Sequence, residues 1–506
     1  MSTVRVLKPT VGPIVGEATK NHLRIFIRGE DLFHDGFLSD TDYSETGICQ
    51  IAEDAQFTTG LHTRVFKLHK QYDYTGVAIF GGLAASKTYY YRIGFGQGGF
   101  TDFYTSSFDW RDIATDQVRT HSDDPDQATS FLLGSCRYAN RTLGAWFGDN
   151  QGDKTLRTAW QDAGGKAGEI DFTMFCGDQI YADDTQNFLW QEDKSVSDFQ
   201  KKYRHMFNKK HFNKLCRNIP TYMILDDHEI EDNWPDTKND SKLNRDSQQF
   251  VNAINYYQAY QVSHSPVFKV DSNAVDLDEV YFKDVNTSIK DKFGNVLIQR
   301  LSGTPKKFWY TFESGCMDVF VMDCRTERQL RHKNKYMISS VQMKALKDWF
   351  LTDKDYRVKA VVVSVPLFPD YNDGEDQWGD ERLRRQRDEI VEFIDENKIP
   401  RALFLTGDIH VSYVSNITTK NSNTKIHQVI SSPIYWPFPF GQGNEEDYTL
   451  NEPMQGNEKW EIKTPTKFIK DNNISRVDVN MNGFRVRVYE REGELLDDNR
   501  FTFAVS

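Results

Sequence analysis

The sequence offers little that would fix the chain in a membrane or on a nucleic acid. No apolar run approaches the roughly 18–20 residues that a bilayer-spanning helix needs. No basic stripe with interleaved aromatics is present, and the formal net charge of -12 opposes binding of a nucleic-acid backbone over the whole surface. The six cysteines (Cys49, Cys136, Cys176, Cys216, Cys316 and Cys324) are scattered without a CxxC pair, so neither a zinc ribbon nor a disulfide framework is indicated. The start, MSTVRVLKPTVGP, has no apolar h-region. The chain is therefore expected in the cytoplasm as written, or as an exported mature form if a leader has been removed. Internal repeats and low-complexity tracts are also absent.

What is present is globular. Hydrophobic residues make up 38% and aromatics 13%, enough for real cores. With 506 residues, more than one compact core usually holds, at least two domains are expected.

Residues 1–120 read as short strands and turns. HLRIFIRGE (22–30) and TRVFKLHK (63–70) alternate, and GVAIF (76–80) is a short apolar run. In GLAASKTYYYRIGFG (82–96) a small-residue turn precedes alternating tyrosines. This matches the E–F corner of immunoglobulin/fibronectin-like β-sandwiches, where Tyr89 or Tyr91 would bond back to nearby backbone. The polar stretch THSDDPDQAT (120–129) reads as a linker, and a second domain is placed at 128–506.

In that second region apolar strands recur between helical stretches. The strands are SFLLG (130–134), DFTMF (171–175), TYMIL (221–225), DVFVM (318–322), VKAVVVSV (358–365) and ALFLT (402–406). SVQMKALKDWFLT (340–352) and ERLRRQRDEIVEFIDENK (381–398) have helical character. The pattern predicts an α/β domain with sheet covered by helices on both faces. Residues 265–300 read as an insertion, and 477–492 as a late hairpin.

The residues just past the strands carry the chemistry. They are Ser135 and Cys136; Gly177, Asp178 and Tyr181; Asp226 to Glu229, Asp232 and Asn233; Asp323 and Arg325; Asp408 and His410. One Asp after a strand is commonly a helix cap. Five endings rich in Asp, His, Asn and Cys on one rim are harder to explain that way, because ligands bind beyond the carboxyl ends of such strands. Converging carboxylates repel unless cations neutralise them. The mixture of thiol, phenol, imidazole and carboxylate suits two or more metals, one softer or ferric and the others hard and oxygen-preferring.

The motifs GSCRY (134–138), GDQIYAD (177–183), LDDHEIEDN (225–233), DCR (323–325) and TGDIHVS (406–412) together resemble the alkaline phosphatase D (PhoD-like) family of the metallophosphoesterase superfamily. VGPIVGEATKNHLRIFIRG (11–29) looks like that family's sandwich domain. The resemblance runs in order over nearly the whole chain. It implies a calcineurin-like αββα domain behind an N-terminal β-sandwich. It also implies a phosphodiesterase or phosphomonoesterase that works by attack of a metal-bound hydroxide on a phosphate-ester substrate. Carried over residue by residue, it makes Cys136 and Tyr181 ligands of ferric iron and Asp178 a carboxylate bridging two metals. Asp227, Asn233 and Asp408 fall to a second, calcium-like site open to other divalent metals, and His410 to the iron. His228 would steady the phosphoryl oxygens and protonate the leaving group, and Arg137 would reach a phosphate oxygen or pair at the surface. Glu229 orients His228 or packs behind it, and Asp323 with Arg325 reads as a structural ion pair. Gln179 stands where the family commonly has an aromatic, which would change the pocket wall. A non-catalytic metal- or phosphate-binding module on the same fold is the rival reading. Loss of His228 or Asp178 would mark it, and both are retained. SSPIYWPFPFGQG (431–443) walls the pocket or packs the domains together, and the acidic run 370–381 is a lid or a solvated loop.

Overall fold

A computed structural model describes residues 3–30, 46–68, 72–96, 107–142, 145–183, 185–186, 194–235, 248–266, 307–330, 335–370, 377–420, 422, 424–439 and 441–503. The expected insertion at 265–300 lies almost wholly outside the described residues. None of the described helices is long and apolar enough to cross a membrane.

The N-terminal strands form two antiparallel sheets. One contains Val11–Ala18, His22–Arg28 and Thr75–Gly81; the other contains His62–Lys67, Thr46–Ala52, Thr88–Gly96 and Asp116–Arg119. Period-2 alternation turns Tyr89, Tyr91 and Ile93 inward, where they join Ile25, Ile27 and Phe80 of the other sheet in one apolar cluster. The two tyrosines have different tasks. Tyr89 Oη accepts the Ala84 N–H at 2.9 Å, the local corner bond, whereas Tyr91 Oη donates to the carbonyl of Arg217 at 2.5 Å, far along the chain. The stretch after Arg119 is not a free tether. Thr120 and His121 are buried, and His121 Nδ1 lies 3.0 Å from the Glu313 carbonyl.

Two larger sheets follow. The first sets Thr221–Ile224, Phe172–Cys176 and Thr129–Gly134 parallel, then adds Asn473–Asn480, Gly483–Glu490 and Leu495–Thr502 antiparallel. The tail thus supplies three strands rather than a lone hairpin, because Asn473–Asn480 pairs with the first central strand. The second sheet runs Tyr310–Ser314, Met317–Val321, Val358–Val362, Ala402–Thr406, Lys425–Ile430, Tyr413–Thr419 and Trp460–Lys463. Phe131, Met174 and Ile224 of the first meet Val319, Val362 and Leu405 of the second in a common core. The outer face of the first packs on helices Asp149–Gln161, Val196–Met206, Lys210–Cys216 and Gln248–Tyr260. The outer face of the second packs on Ser340–Leu351 and Arg384–Glu396. This is an α/β stack of helices, sheet, sheet and helices. It explains the continuous apolar strands: both faces of each are covered. The parallel strands of the two sheets end at one rim.

Candidate metal centre

The rim is built from tight turns. Phe172–Cys176 ends in Gly177 at φ 96°, and a Cβ there would stand 2.4 Å from Asp226 Cβ. Only glycine lets these two strand ends lie side by side. Cys136, Asp178, Asn233, Asp408 and His410 all have positive φ, between 54° and 69°. For non-glycine residues this is a sparsely populated, costly conformation, and such strain collects at functional sites.

These turns bring four donor atoms together. Asp178 Oδ2 lies 3.4 Å from Cys136 Sγ and 3.4 Å from Tyr181 Oη, and Tyr181 Oη lies 3.4 Å from His410 Nε2. His410 Nδ1–H donates to the Gly441 carbonyl at 2.9 Å, which turns Nε2 toward the cluster. Trp436, from the stretch 431–443, stacks on the His410 ring with centroids 3.9 Å apart. Ser432 Oγ donates to Cys136 Sγ at 3.2 Å and accepts the His410 N–H at 3.2 Å, tying two donors to one hydroxyl.

A second group adjoins the first. Asp178, Asp227 and His228 offer ligand atoms within 4.8 Å of one another, as do Asp226, Asp227 and Asp408. Asp178 Oδ1 and Asp227 Oδ1 are buried and receive no hydrogen bond among the described residues. Asn233 contributes its backbone N–H to Asp227 Oδ2 at 2.5 Å, while its exposed side chain donates to Asp232 Oδ2 at 3.2 Å.

The electrostatics fit a cation. Burial, reinforced by Asp178, pushes the Cys136 thiol well above its usual range. Burial likewise raises the Tyr181 phenol and the Asp178 carboxyl, the latter with further help from Asp227 and Asp226. Three donors that resist ionisation alone, beside carboxylate oxygens without hydrogen bonds, are what a metal ion would ionise and occupy. Burial drops His410 to about 3, leaving it neutral and able to ligate. Burial also pulls His228 down, but Asp183, Asp227 and Asp178 outweigh it and hold the imidazole well above its ordinary value.

Several residues sit elsewhere than their sequence context suggests. Arg137 does not join the centre. Its guanidinium is 1% exposed, lies 4.2 Å over the Phe212 ring and donates to the Gln179 carbonyl at 3.3 Å. It is neither a surface pair nor aimed at the rim, because it fills space beneath helix Lys210–Cys216, and burial pulls it down to about 10. Glu229 does not bond His228. Its carboxylate accepts the N–H groups of Asp178 (3.1 Å), Gln179 (2.7 Å) and Asp226 (2.9 Å), clamping two turns together. Gln179 is buried and folds back on the Gly177 carbonyl instead of lining the mouth. Cys176, by contrast, lies in the core between the sheets, where a thiol closing an apolar strand is expected. Arg325 is not held by Asp323, whose carboxylate accepts the backbone N–H groups of Arg325 and Thr326. Its guanidinium pairs with Asp226 instead. In the acidic run, 371–376 lie outside the described residues, while Asp370 is buried and paired with Arg387. Asp183, the partner of His228, was missed. The signal was present in the Asp of YAD, two residues after Tyr181.

Comparison with known proteins bears on this geometry. A family model described as PhoD-like phosphatase matches residues 153–485. A solved structure of PhoD aligns over 98% of this chain and 89% of its own, with TM-score 0.64 and 15% identity. The purple acid phosphatase PPD1 from yellow lupin (Lupinus luteus) seeds aligns over 97% of this chain and 74% of its own, with TM-score 0.56 and 10% identity. At such identities the two structures speak for the fold alone. No curated protein gives a match.

Proposed function

The chain belongs to the PhoD-like phosphatase family, and from that membership, which makes it a metal-dependent phosphoesterase, we propose a specific centre and reaction. The observation that carries the proposal is the set of donors around Asp178: thiol, phenol and imidazole on one side, Asp227 on the other, with one oxygen of each carboxylate buried and without a hydrogen bond. Cys136, Tyr181, His410 and Asp178 would hold ferric iron. Asp178, Asp227 and Asp408, with Asn233 at the edge, would hold calcium or another divalent ion. When bound, such a pair lowers the pKa of water and neutralises phosphate charge in an in-line displacement.

The chain's own groups do the rest. His228, held through Nδ1 by Asp183, keeps Nε2 for the phosphoryl oxygens and gives a proton to the leaving group. Glu229 fixes the backbone of Asp178 and Asp226. Arg137 acts indirectly, by holding the Gln179 carbonyl and so the turn that carries Asp178. Tyr138 and Trp436 frame Tyr181 as the wall for the ester group. Phosphomonoesters and phosphodiesters both suit this chemistry. The N-terminal unit, through residue 120, would be an immunoglobulin/fibronectin-like β-sandwich docked on a catalytic unit spanning 128–506.

Metal analysis with a visible spectrum tests the centre. Iron with a second metal, a coloured band, and loss of that band in Tyr181→Phe support it, together with hydrolysis of aryl phosphate mono- or diesters. A colourless protein with no stoichiometric transition metal sinks it.

A further inference from the structure

A concave surface of the opposite charge lies away from the metal centre. The hairpin of Asn140–Thr142 and Ala145–Phe147 packs on helix Val196–Met206, where the Trp146 ring stacks on the His205 ring with centroids 3.9 Å apart. Between hairpin and helix opens a cleft of about 410 Å³, within the range of small-ligand sites. Its cations are Arg141, Lys201, Arg204 and Lys209, and no carboxylate is among the described residues that line it. The chain as a whole carries a net charge of -12, so this local excess of positive charge runs against its composition.

The acids that pair with these cations are buried and shared. Arg141 Nη1 stands 3.8 Å from Oδ1 of the fully buried Asp198, which also pairs with Lys202. Arg204 Nε donates at 2.8 Å to Oδ2 of Asp73, also fully buried, which takes Arg28 as well. Lys209 and His205 share Asp149 Oδ2. Lys201 is exposed and has no ion pair among the described residues. A cleft lined by one sign of charge focuses the field into its opening. The Trp146 ring already carries His205, and the Arg141 guanidinium lies 5.9 Å from its centroid, so it is a wall that favours a compact anion over a flat base.

The cleft is built on the segment that carries the centre. Two residues before the hairpin, Tyr138 packs edge-on against Tyr181 with centroids 5.0 Å apart. Arg141 pairs in register with Thr185, two residues after Asp183. Lys202, next to Lys201, donates to the Ala182 carbonyl.

We propose that this cleft is a second anion site, separate from the metal centre, that takes a phosphate group through Arg141, Lys201 and Lys209. That phosphate is either a further one on the substrate or free inorganic phosphate. The link to a substrate rests on the reaction proposed above; the anion site does not.

Equilibrium dialysis of the full-length, metal-loaded protein against radiolabelled inorganic phosphate at low salt tests it. Wild type is expected to bind one equivalent more than the double variant Arg141→Gln with Lys201→Gln, and to lose that equivalent at high salt. Equal binding by the two proteins overturns the proposal. Should the double variant not fold, Lys201→Gln alone decides, because this exposed side chain holds no partner. Its affinity for the extra phosphate is expected to fall about 2–5-fold, and an unchanged affinity overturns the proposal. The source follows from kcat/KM for thymidine 5′-(p-nitrophenyl phosphate) with and without a 3′-phosphate. A preference for the 3′-phosphorylated ester that falls in the variant assigns the cleft to the substrate, and equal values assign it to free phosphate. Hydrolysis of neither ester, with the extra equivalent intact, removes the reaction proposed above and leaves the anion site standing.

Discussion

Asp183 sets both carboxylate oxygens on Nδ1 of His228, at 2.8 and 3.0 Å. The carboxylate is itself fixed by the Asp232 N–H at 2.7 Å. Burial works against Asp183, but the charge of His228 outweighs it and keeps the carboxyl below its usual range. The pair gives His228 one orientation, with Nδ1 on Asp183 and Nε2 on the other side, 3.8 Å from Asp232 Oδ1.

Asp183→Asn keeps the shape of this contact and removes its charge. The turnover number is expected to fall roughly 10–100-fold, with a smaller change in KM, as for other residues that orient a site group. His228→Ala is expected to lose more, roughly 10²–10⁴-fold, because the proton donor itself is gone. Steady-state kinetics on an aryl phosphodiester separates the two. Equal, negligible losses would show that this histidine does not work in the reaction.

Glu229 accepts three backbone N–H groups from two turns. Glu229→Ala leaves them buried without partners, at about 1–3 kcal/mol for each group not rescued by water. A lower urea midpoint and a lower metal content are expected together. Glu229→Gln retains one acceptor oxygen and should lose less of both. If stability falls and metal content does not, the clamp serves the fold alone.

Acid should weaken the fold through buried histidines away from the centre. Burial holds His264 at about 4 and His427 at about 3, both below the ordinary histidine value of 6.5. The fold keeps them neutral while an unfolded chain takes up protons, so stability is complete above pH 6.5 and declines as pH falls toward 4. At about 1.4 kcal/mol for each tenfold difference in proton affinity between the folded and unfolded chain, His264 alone accounts for roughly 3 kcal/mol by pH 4. His264→Leu should flatten the slope of melting temperature against pH between 6.5 and 4. An unchanged slope would mean that His264 titrates normally.

Tyr91→Phe removes the hydroxyl that reaches Arg217 and should cost about 1 kcal/mol. Tyr89→Phe removes the local corner bond to Ala84 instead. Limited proteolysis should cut the first variant more readily between the N-terminal unit and the rest, and the second within the N-terminal unit. Identical cleavage patterns would show that the Tyr91 bond does not hold the two together.

The readable parts of this protein were those encoded locally. Continuous apolar runs announced the central strands, because burial on both faces leaves a run and not an alternation. Polar residues just after those runs announced the rim, because strand ends are where a parallel sheet exposes its turns. The unreadable parts depended on partners distant in sequence. Arg325 chose Asp226 over Asp323, a choice fixed only when strands Thr221–Ile224 and Met317–Val321 finish at the same rim. Arg137 adjoins Cys136 in sequence, but turned into the aromatic core beneath helix Lys210–Cys216. Tyr89 and Tyr91 share a strand face, and only the neighbouring unit tells them apart.

The left-handed turns at Cys136, Asp178, Asn233, Asp408 and His410 bear on how such a centre could be moved or altered. A designer who copied the side chains onto regular strands would aim them wrongly, since the backbone at these points sends the donor where no extended residue can. The transferable unit is the loop with its unusual torsions. Glycine at one of these positions would ease the backbone while deleting the donor, so a glycine scan of the rim could raise melting temperature as it abolishes metal binding. In this protein, gains in heat tolerance at the rim and retention of metal would pull in opposite directions.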